Sequence, residues 1–302
     1  MPKEMAWCNI LIVFFYFSSF AYGTPVWDGE NVGRVQITGR KVVISGQNKF
    51  PFIVKIDVDS SYGSGICGGV IISRRVVLTA AHCLHGKTMP IITIRAGIVE
   101  LFLERDSAQK RTVIDYYIHE KYRSKCKVGK KRCCHLVNDI ALLWTDTNFE
   151  FGPYVKQADF NWNEKPIGKT GWILGWGVKR SGIYPTMLQK GLVKVTSEQT
   201  CEKLNPKIYI TQNVICLAAV SGGTRAAKGD SGGPFVIDGV VYGLSSYTFF
   251  DECETKPLDV FTYVGKYHTW IENNLEAGPP KNRPKTTPGA SNEPPPKRRK
   301  IQ

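Results

Sequence analysis

The chain has 302 residues, 42% of them hydrophobic, and carries 40 Lys+Arg against 26 Asp+Glu, a formal charge of +14. That apolar content is enough to bury a core, which excludes a chain with nothing to pack, and the length allows one large all-β domain or two small ones. The charge favours anionic partners such as acidic glycans, anionic membranes or nucleic acid, without choosing among them.

Residues 1–23 read as a signal peptide. Lys3 supplies a positive start, Ala6 to Phe20 is mostly apolar, and Ala21-Tyr22-Gly23 sets small residues two apart for cleavage. The apolar run is shorter than the roughly 20 residues that span a bilayer, which argues against a retained anchor. Removing Cys8 leaves an even eight of the nine cysteines in an oxidising compartment, so disulfides are expected. Cys133-Cys134-His135 has metal-ligand chemistry, but no second Cys or His pair completes it, and no metal or cofactor is expected.

Residues 24–50 read as an irregular leading segment. From Phe50 to about Tyr247, short β-runs alternate with turn residues. Val70-Ile71-Ile72, Val76-Val77-Leu78, Ile91-Ile92-Thr93-Ile94 and Ile140-Ala141-Leu142-Leu143 are predicted strands. Phe235 to Tyr242 is a predicted hairpin, because Asp238-Gly239 suits the positive φ of a tight turn. Such a chain makes a barrel or a sandwich. One helix is predicted late, where Val264, Tyr267, Ile271 and Leu275 recur near helical spacing and Gly278-Pro279-Pro280 stops it. Residues 279–302 are rich in Pro, Lys and Arg and read as a disordered tail. The sequence contains no Asn-x-Ser/Thr sequon.

Three motifs carry chemistry, in the order Leu78-Thr79-Ala80-Ala81-His82-Cys83, Asn138-Asp139-Ile140-Ala141-Leu142-Leu143 and Gly229-Asp230-Ser231-Gly232-Gly233-Pro234. Singly they read as a packed histidine, a turn into a strand and a loop. Together, in this order, the chain resembles the trypsin-like (chymotrypsin-fold) secreted serine proteases, from about residue 35 to 276. Phe50-Pro51-Phe52, Cys67-Gly68-Gly69-Val70-Ile71-Ile72-Ser73 and Gly175-Trp176-Gly177 add to the likeness. The few disulfides resemble those of arthropod members. The resemblance implies an all-β fold of two antiparallel barrels with a C-terminal helix and a disordered basic tail. It implies a secreted serine endopeptidase, with 24–34 as a short propeptide and 35–278 as the peptidase domain.

It implies roles residue by residue. Ser231 is the nucleophile, His82 its base, and Asp139 fixes the imidazole tautomer. The N–H groups of Gly229 and Ser231 form the oxyanion hole, and Gly229 permits the turn. Cys67–Cys83 and Cys201–Cys216 are the implied disulfides. Gly171 and Ile237 stand together where another family bridge is lost, and Ala227 replaces the usual partner of a cysteine near Cys253. Cys126, Cys133 and Cys134 lie in a basic loop, and the expectation is one bridge inside that loop and one to Cys253.

The pocket departs from the family pattern. Arg225 stands at the floor position where trypsins carry an aspartate. Ser246-Tyr247-Thr248 replaces the usual Ser-Trp-Gly, and Asp259 takes the position of a pocket-lining glycine. Arg225 and Asp259 are expected to pair across one small cavity, because neither charge tolerates burial alone. A salt-bridged, partly filled S1 pocket favours small side chains, or an acidic one engaging Arg225, over Lys or Arg. Activation is expected to pair Asp230 with the α-amino group freed at Val35 after Arg34, although the stretch lacks the usual Val-Gly-Gly; Lys41-Val42-Val43 is the alternative site. Lys121, Arg123, Lys125, Lys127, Lys130, Lys131 and Arg132, with the tail from Lys281 to Lys300, are read as docking to anionic glycans or membrane lipid or as solvated charge; no specific nucleic acid is expected. The expected protein is a monomer acting on protein or peptide substrates. The alternative is a secreted protease-like binding protein whose blocked pocket or failed activation leaves it inert.

Overall fold

The computed structural model describes residues 41–42 and 49–280, apart from 62, 88–89, 103–107, 128–132, 180, 205–211, 221–223 and 249–257; for 125–127, 133–135, 204 and 248 it describes the backbone alone. The signal peptide, the propeptide, Val35, Cys253 and the tail from 281 lie outside the described residues.

Strand β1 (Lys41–Val42) precedes β2 (Ile53–Ser60), β3 (Gly63–Ser73), β4 (Val76–Thr79), β5 (Ile91–Ala96) and β6 (Gln109–Ile118). Then come β7 (Arg123–Lys127), β8 (Cys133–Val137), β9 (Ala141–Thr145), β10 (Asp159–Phe160), β11 (Thr170–Gly175) and β12 (Gln189–Val195). Helix α1 (Glu198–Leu204), β13 (Val214–Ala219), β14 (Pro234–Ile237), β15 (Val240–Thr248), β16 (Asp259–Tyr263) and α2 (His268–Ala277) complete the order. Six strands close a first antiparallel barrel in the order β2-β3-β4-β9-β6-β5. A second runs β12-β11-β14-β15-β16-β13 and closes through pairing of β12 with β13. β7 and β8 form a separate ribbon whose register sets Cys126 opposite Cys134.

Alternation along the strands builds each interior. In β2, Val54, Ile56 and Val58 point inward and are sealed, joined by Ile71, Val77, Ile94 and Leu143; residues at i and i+2 share a strand face. The second barrel is filled by Ile173, Val193, Ile215, Phe235 and Phe261. A third cluster draws on both barrels and on α2, including Val70, Leu78, Leu142, Leu174, Trp176, Leu244 and Ile271. It welds the barrels side by side and so fixes the seam between them.

The local expectations meet the structure with small shifts. Asp238 (φ 49°) and Gly239 (φ 86°) make the β14–β15 turn. The late helix begins with a 3-10 turn over Val264–Tyr267 before α2. Ile140 falls just before β9, because it closes a turn with its N–H on the Asn138 carbonyl. Within the leading segment, Lys41 and Val42 pair with β12.

Candidate active site

His82 sits in a 3-10 turn (Ala81–Cys83) directly after β4. The neighbouring Cys83 is joined to Cys67 of β3, which pins that turn to the first barrel. Asp139 follows Asn138, whose φ of 52° is left-handed. Asn is one of the few side-chain-bearing residues that tolerates that region. Its amide is held on several sides: Nδ2 donates to the Lys121 carbonyl at 2.8 Å, and Oδ1 accepts from Asn213 at 3.1 Å and from the Tyr267 hydroxyl at 3.0 Å. Asn138 therefore aims the carboxylate that follows it.

Asp139 is 2% exposed. Its Oδ1 accepts the His82 backbone N–H at 2.9 Å, and its Oδ2 lies 2.8 Å from His82 Nδ1. The Ser246 hydroxyl also donates to Oδ2, and Thr262 donates to the Asp139 carbonyl at 2.8 Å. Burial alone raises the Asp139 pKa, but the His82 charge and these hydrogen bonds outweigh it and hold the carboxyl below its usual range. Burial alone lowers the His82 pKa, and the Asp139 charge and hydrogen bond outweigh that, leaving the imidazole above its ordinary value. Burial and the Asp139 charge push the nearby Tyr122 hydroxyl up to about 12.

Ser231 comes from the other barrel, in the turn before β14. Its carbonyl accepts the Gly68 N–H at 2.7 Å, one residue from Cys67. A Cβ on Gly232 would lie 2.2 Å from Thr79 Oγ1, 2.5 Å from the Gly68 carbonyl and 2.9 Å from the Ala80 nitrogen. Only a glycine lets this turn press onto the end of β4, just before His82. Within the turn, the N–H groups of Asp230, Gly232 and Gly233 are bonded to the carbonyls of Ala227, Ser245 and Asp230. The N–H groups of Gly229 and Ser231 have no acceptor among the described residues. Gly229, at φ 98°, lies against the ring of Tyr184.

Asp230 is buried, with Oδ1 accepting from Gly177 and Oδ2 from Ala227, each at 2.8 Å. A Cβ on Gly177 would sit 2.3 Å from that carboxylate, which explains the small residue after Trp176.

Arg225 and Asp259 are also buried, their side chains 6% and 2% exposed, with Arg225 Nε 3.5 Å from Asp259 Oδ1. Asp259 Oδ2 accepts the Ala226 N–H at 2.8 Å, and an Arg225 terminal nitrogen reaches the Leu258 carbonyl at 3.4 Å. Thr248 ends β15 opposite Asp259 in the strand register. Cys201 and Cys216 are joined, tying α1 to β13. A Cβ on Gly171 would meet Ile237 at 2.8 Å, so the two positions without cysteines do touch. No cluster of metal-ligating groups occurs among the described residues.

Sequence reasoning missed three contributors. Ser246, read as a pocket residue, donates to Asp139. Thr262 and Asn138 brace the same aspartate. The Asn-Asp dipeptide was the one available signal, since Asn marks a left-handed turn; the two hydroxyls come from distant strands and leave no local trace.

The family model described as Trypsin matches residues 41–271. The chain is 31% identical over 216 residues to mouse (Mus musculus) kallikrein 1-related peptidase b22, covering 71% of this chain and 82% of that protein. It is 30% identical over 271 residues to Trypsin Blo t 3 of Blomia tropicalis, covering 87% and 97%. It is 29% identical over 261 residues to a chymotrypsin of Phaedon cochleariae, covering 82% and 87%. With paired barrels and a half-buried histidine held by a buried aspartate at their seam, the chain belongs to the trypsin family. It is a serine endopeptidase of that class.

Proposed function

We propose that the chain is a secreted endopeptidase that cleaves by a relay of Ser231, His82 and Asp139 and takes small residues ahead of the scissile bond. The hydrogen bond between buried Asp139 and half-buried His82, made at Nδ1, carries this reading. It leaves the other ring nitrogen to accept a proton, and a carboxylate held anionic stabilises the imidazolium that forms. Ser231 Oγ attacks the peptide carbonyl as its proton passes to His82. His82 then protonates the leaving amine, and water repeats the sequence on the acyl-enzyme to release the acid. Charge developing on the carbonyl oxygen is met by the unengaged N–H groups of Gly229 and Ser231, each such donor being worth roughly 3–4 kcal/mol in a transition state.

Asp230 is the natural receiver of an α-amino group freed at Val35, which would order the turn holding those N–H groups. Export rests on the 1–23 leader. Arg225 and Asp259 fill the floor of the S1 pocket with one neutralised pair. The pair offers no free carboxylate to a Lys or Arg side chain, and it leaves room for small side chains.

The same filled floor favours the second reading, a protease-like binding protein that cleaves nothing. A peptide library incubated with the processed chain separates the two. Cleavage after Ala, Ser or Gly, lost in Ser231→Ala, supports the first. Dominant cleavage after Lys or Arg contradicts the pocket assignment, and no cleavage at all supports the second.

A further inference from the structure

The outer face of the second barrel carries a charge pattern that the proposed catalytic chemistry does not use. In β12, Gln189, Gly191, Val193 and Val195 are buried, while Lys190, Leu192 and Lys194 point outward. Lys190 stands directly opposite Lys41 of β1. Thr170 lies opposite Lys194, and Trp172 opposite Leu192. The Lys190 ammonium rests 4.8 Å from the centre of the Trp172 ring. Strands β1, β11, β12 and β13 contain no Asp or Glu, and none of these lysines has an acidic partner among the described residues.

Like charges placed directly opposite on neighbouring strands are destabilising. A fold under no other demand would set an acid against Lys41 or Lys190. The arrangement instead gives a cationic line about 13 Å long, from the strand rise per residue, with an indole between its two ends. The tryptophan is half buried rather than protruding, and no acid interrupts the line.

We propose that this face, built from Lys41, Lys190, Lys194 and Trp172, binds a linear sulfated polysaccharide. The ammonium groups meet successive sulfates, and the Trp172 ring under Lys190 holds that ammonium in the line. Val220, 45% exposed, stands beside Leu192 on this face, and one exposed valine is less apolar surface than insertion into a lipid layer requires. The proposal is independent of catalysis and of the basic tail.

The test uses the full mature chain on immobilised heparin, eluted with NaCl, beside Lys190→Glu/Lys194→Glu and a chain ending at residue 280. The double variant should elute at clearly lower salt, with its melting temperature unchanged. The slope of log affinity against log salt should fall by about one per lysine removed, as expected for counterion release. The difference should persist in the shortened background. Elution unaffected by the double variant, or retention lost wholly with the tail, overturns the proposal. So does equal sensitivity of binding to duplex DNA or to phosphatidylserine vesicles, which makes the face a general polyanion or membrane surface.

Discussion

Replacing Arg225 with alanine leaves Asp259 in a site where its side chain is 2% exposed. At the observed 3.5 Å between Nε and Oδ1, and an effective dielectric constant of about 20, the lost attraction is roughly 5 kcal/mol. Breaking one half of a buried pair commonly costs about 3–5 kcal/mol, while removing both halves costs much less. Asp259 keeps the Ala226 N–H, which places the expected loss at the lower end, near 3 kcal/mol. Asp259→Ala should lose a similar amount, because the buried guanidinium then lacks its counter-charge. The double variant should recover most of either loss. Urea denaturation of the four forms, in a Ser231→Ala background to prevent self-cleavage, measures the coupling directly. Two single losses under about 1 kcal/mol that simply add would refute the idea of a mutually dependent pair, and with it the filled pocket floor. Specificity gives an independent readout. Arg225→Asp/Asp259→Gly should gain cleavage after Lys and Arg at the expense of small residues.

In the proposed relay the His82–Asp139 couple sets the pH response. His82 must be neutral to accept a proton, and its pKa is raised, so the acid limb of kcat/KM should lie above about 6.5. Asp139→Asn should lower that limb and reduce kcat by about 10⁴. The signs for stability differ between the two groups. The raised His82 pKa stabilises the fold below about pH 6.5, and this is lost as pH rises through the folded value; the lowered Asp139 pKa stabilises it above about pH 4, and this is lost as pH falls through the folded value. Asn138→Gly should keep the left-handed backbone but lose the amide contacts, whereas Asn138→Ala should lose both and be less stable by a further 1–2 kcal/mol or so in a melting experiment. Peptide mapping of the non-reduced chain should find Cys253 bridged to one of Cys126, Cys133 or Cys134, and a free Cys253 thiol would contradict that. N-terminal sequencing should begin at Val35; a start at Val42 would move the activation site.

The sequence exposed most of the framework because its signals are local. Val76-Val77-Leu78 and Ile91-Ile92-Thr93-Ile94 are apolar runs that become strands, Asp238-Gly239 has a turn that suits it, and Tyr267 and Ile271 mark one face of the late helix. The order of the His82, Asp139 and Ser231 motifs was legible for the same reason. What stayed hidden is contact between distant segments. Nothing around Ser246 signals its bond to Asp139, 107 positions away. Gly232 reads as an ordinary turn residue until its missing side chain is seen to admit Thr79. Tyr184 against Gly229 and Lys190 against Trp172 likewise need three dimensions. Strand ends also slipped, as at Ile140, where a tertiary turn bond replaces the ladder.

The central claim is that Ser231 is made nucleophilic by a histidine steadied by Asp139. The most direct measurement is labelling of the processed protein with a fluorophosphonate, followed by mass mapping of the adduct. One adduct per chain is expected, on Ser231, slowed by orders of magnitude in His82→Ala and absent in Ser231→Ala. An adduct on another residue, or labelling equally fast without His82, would contradict the account.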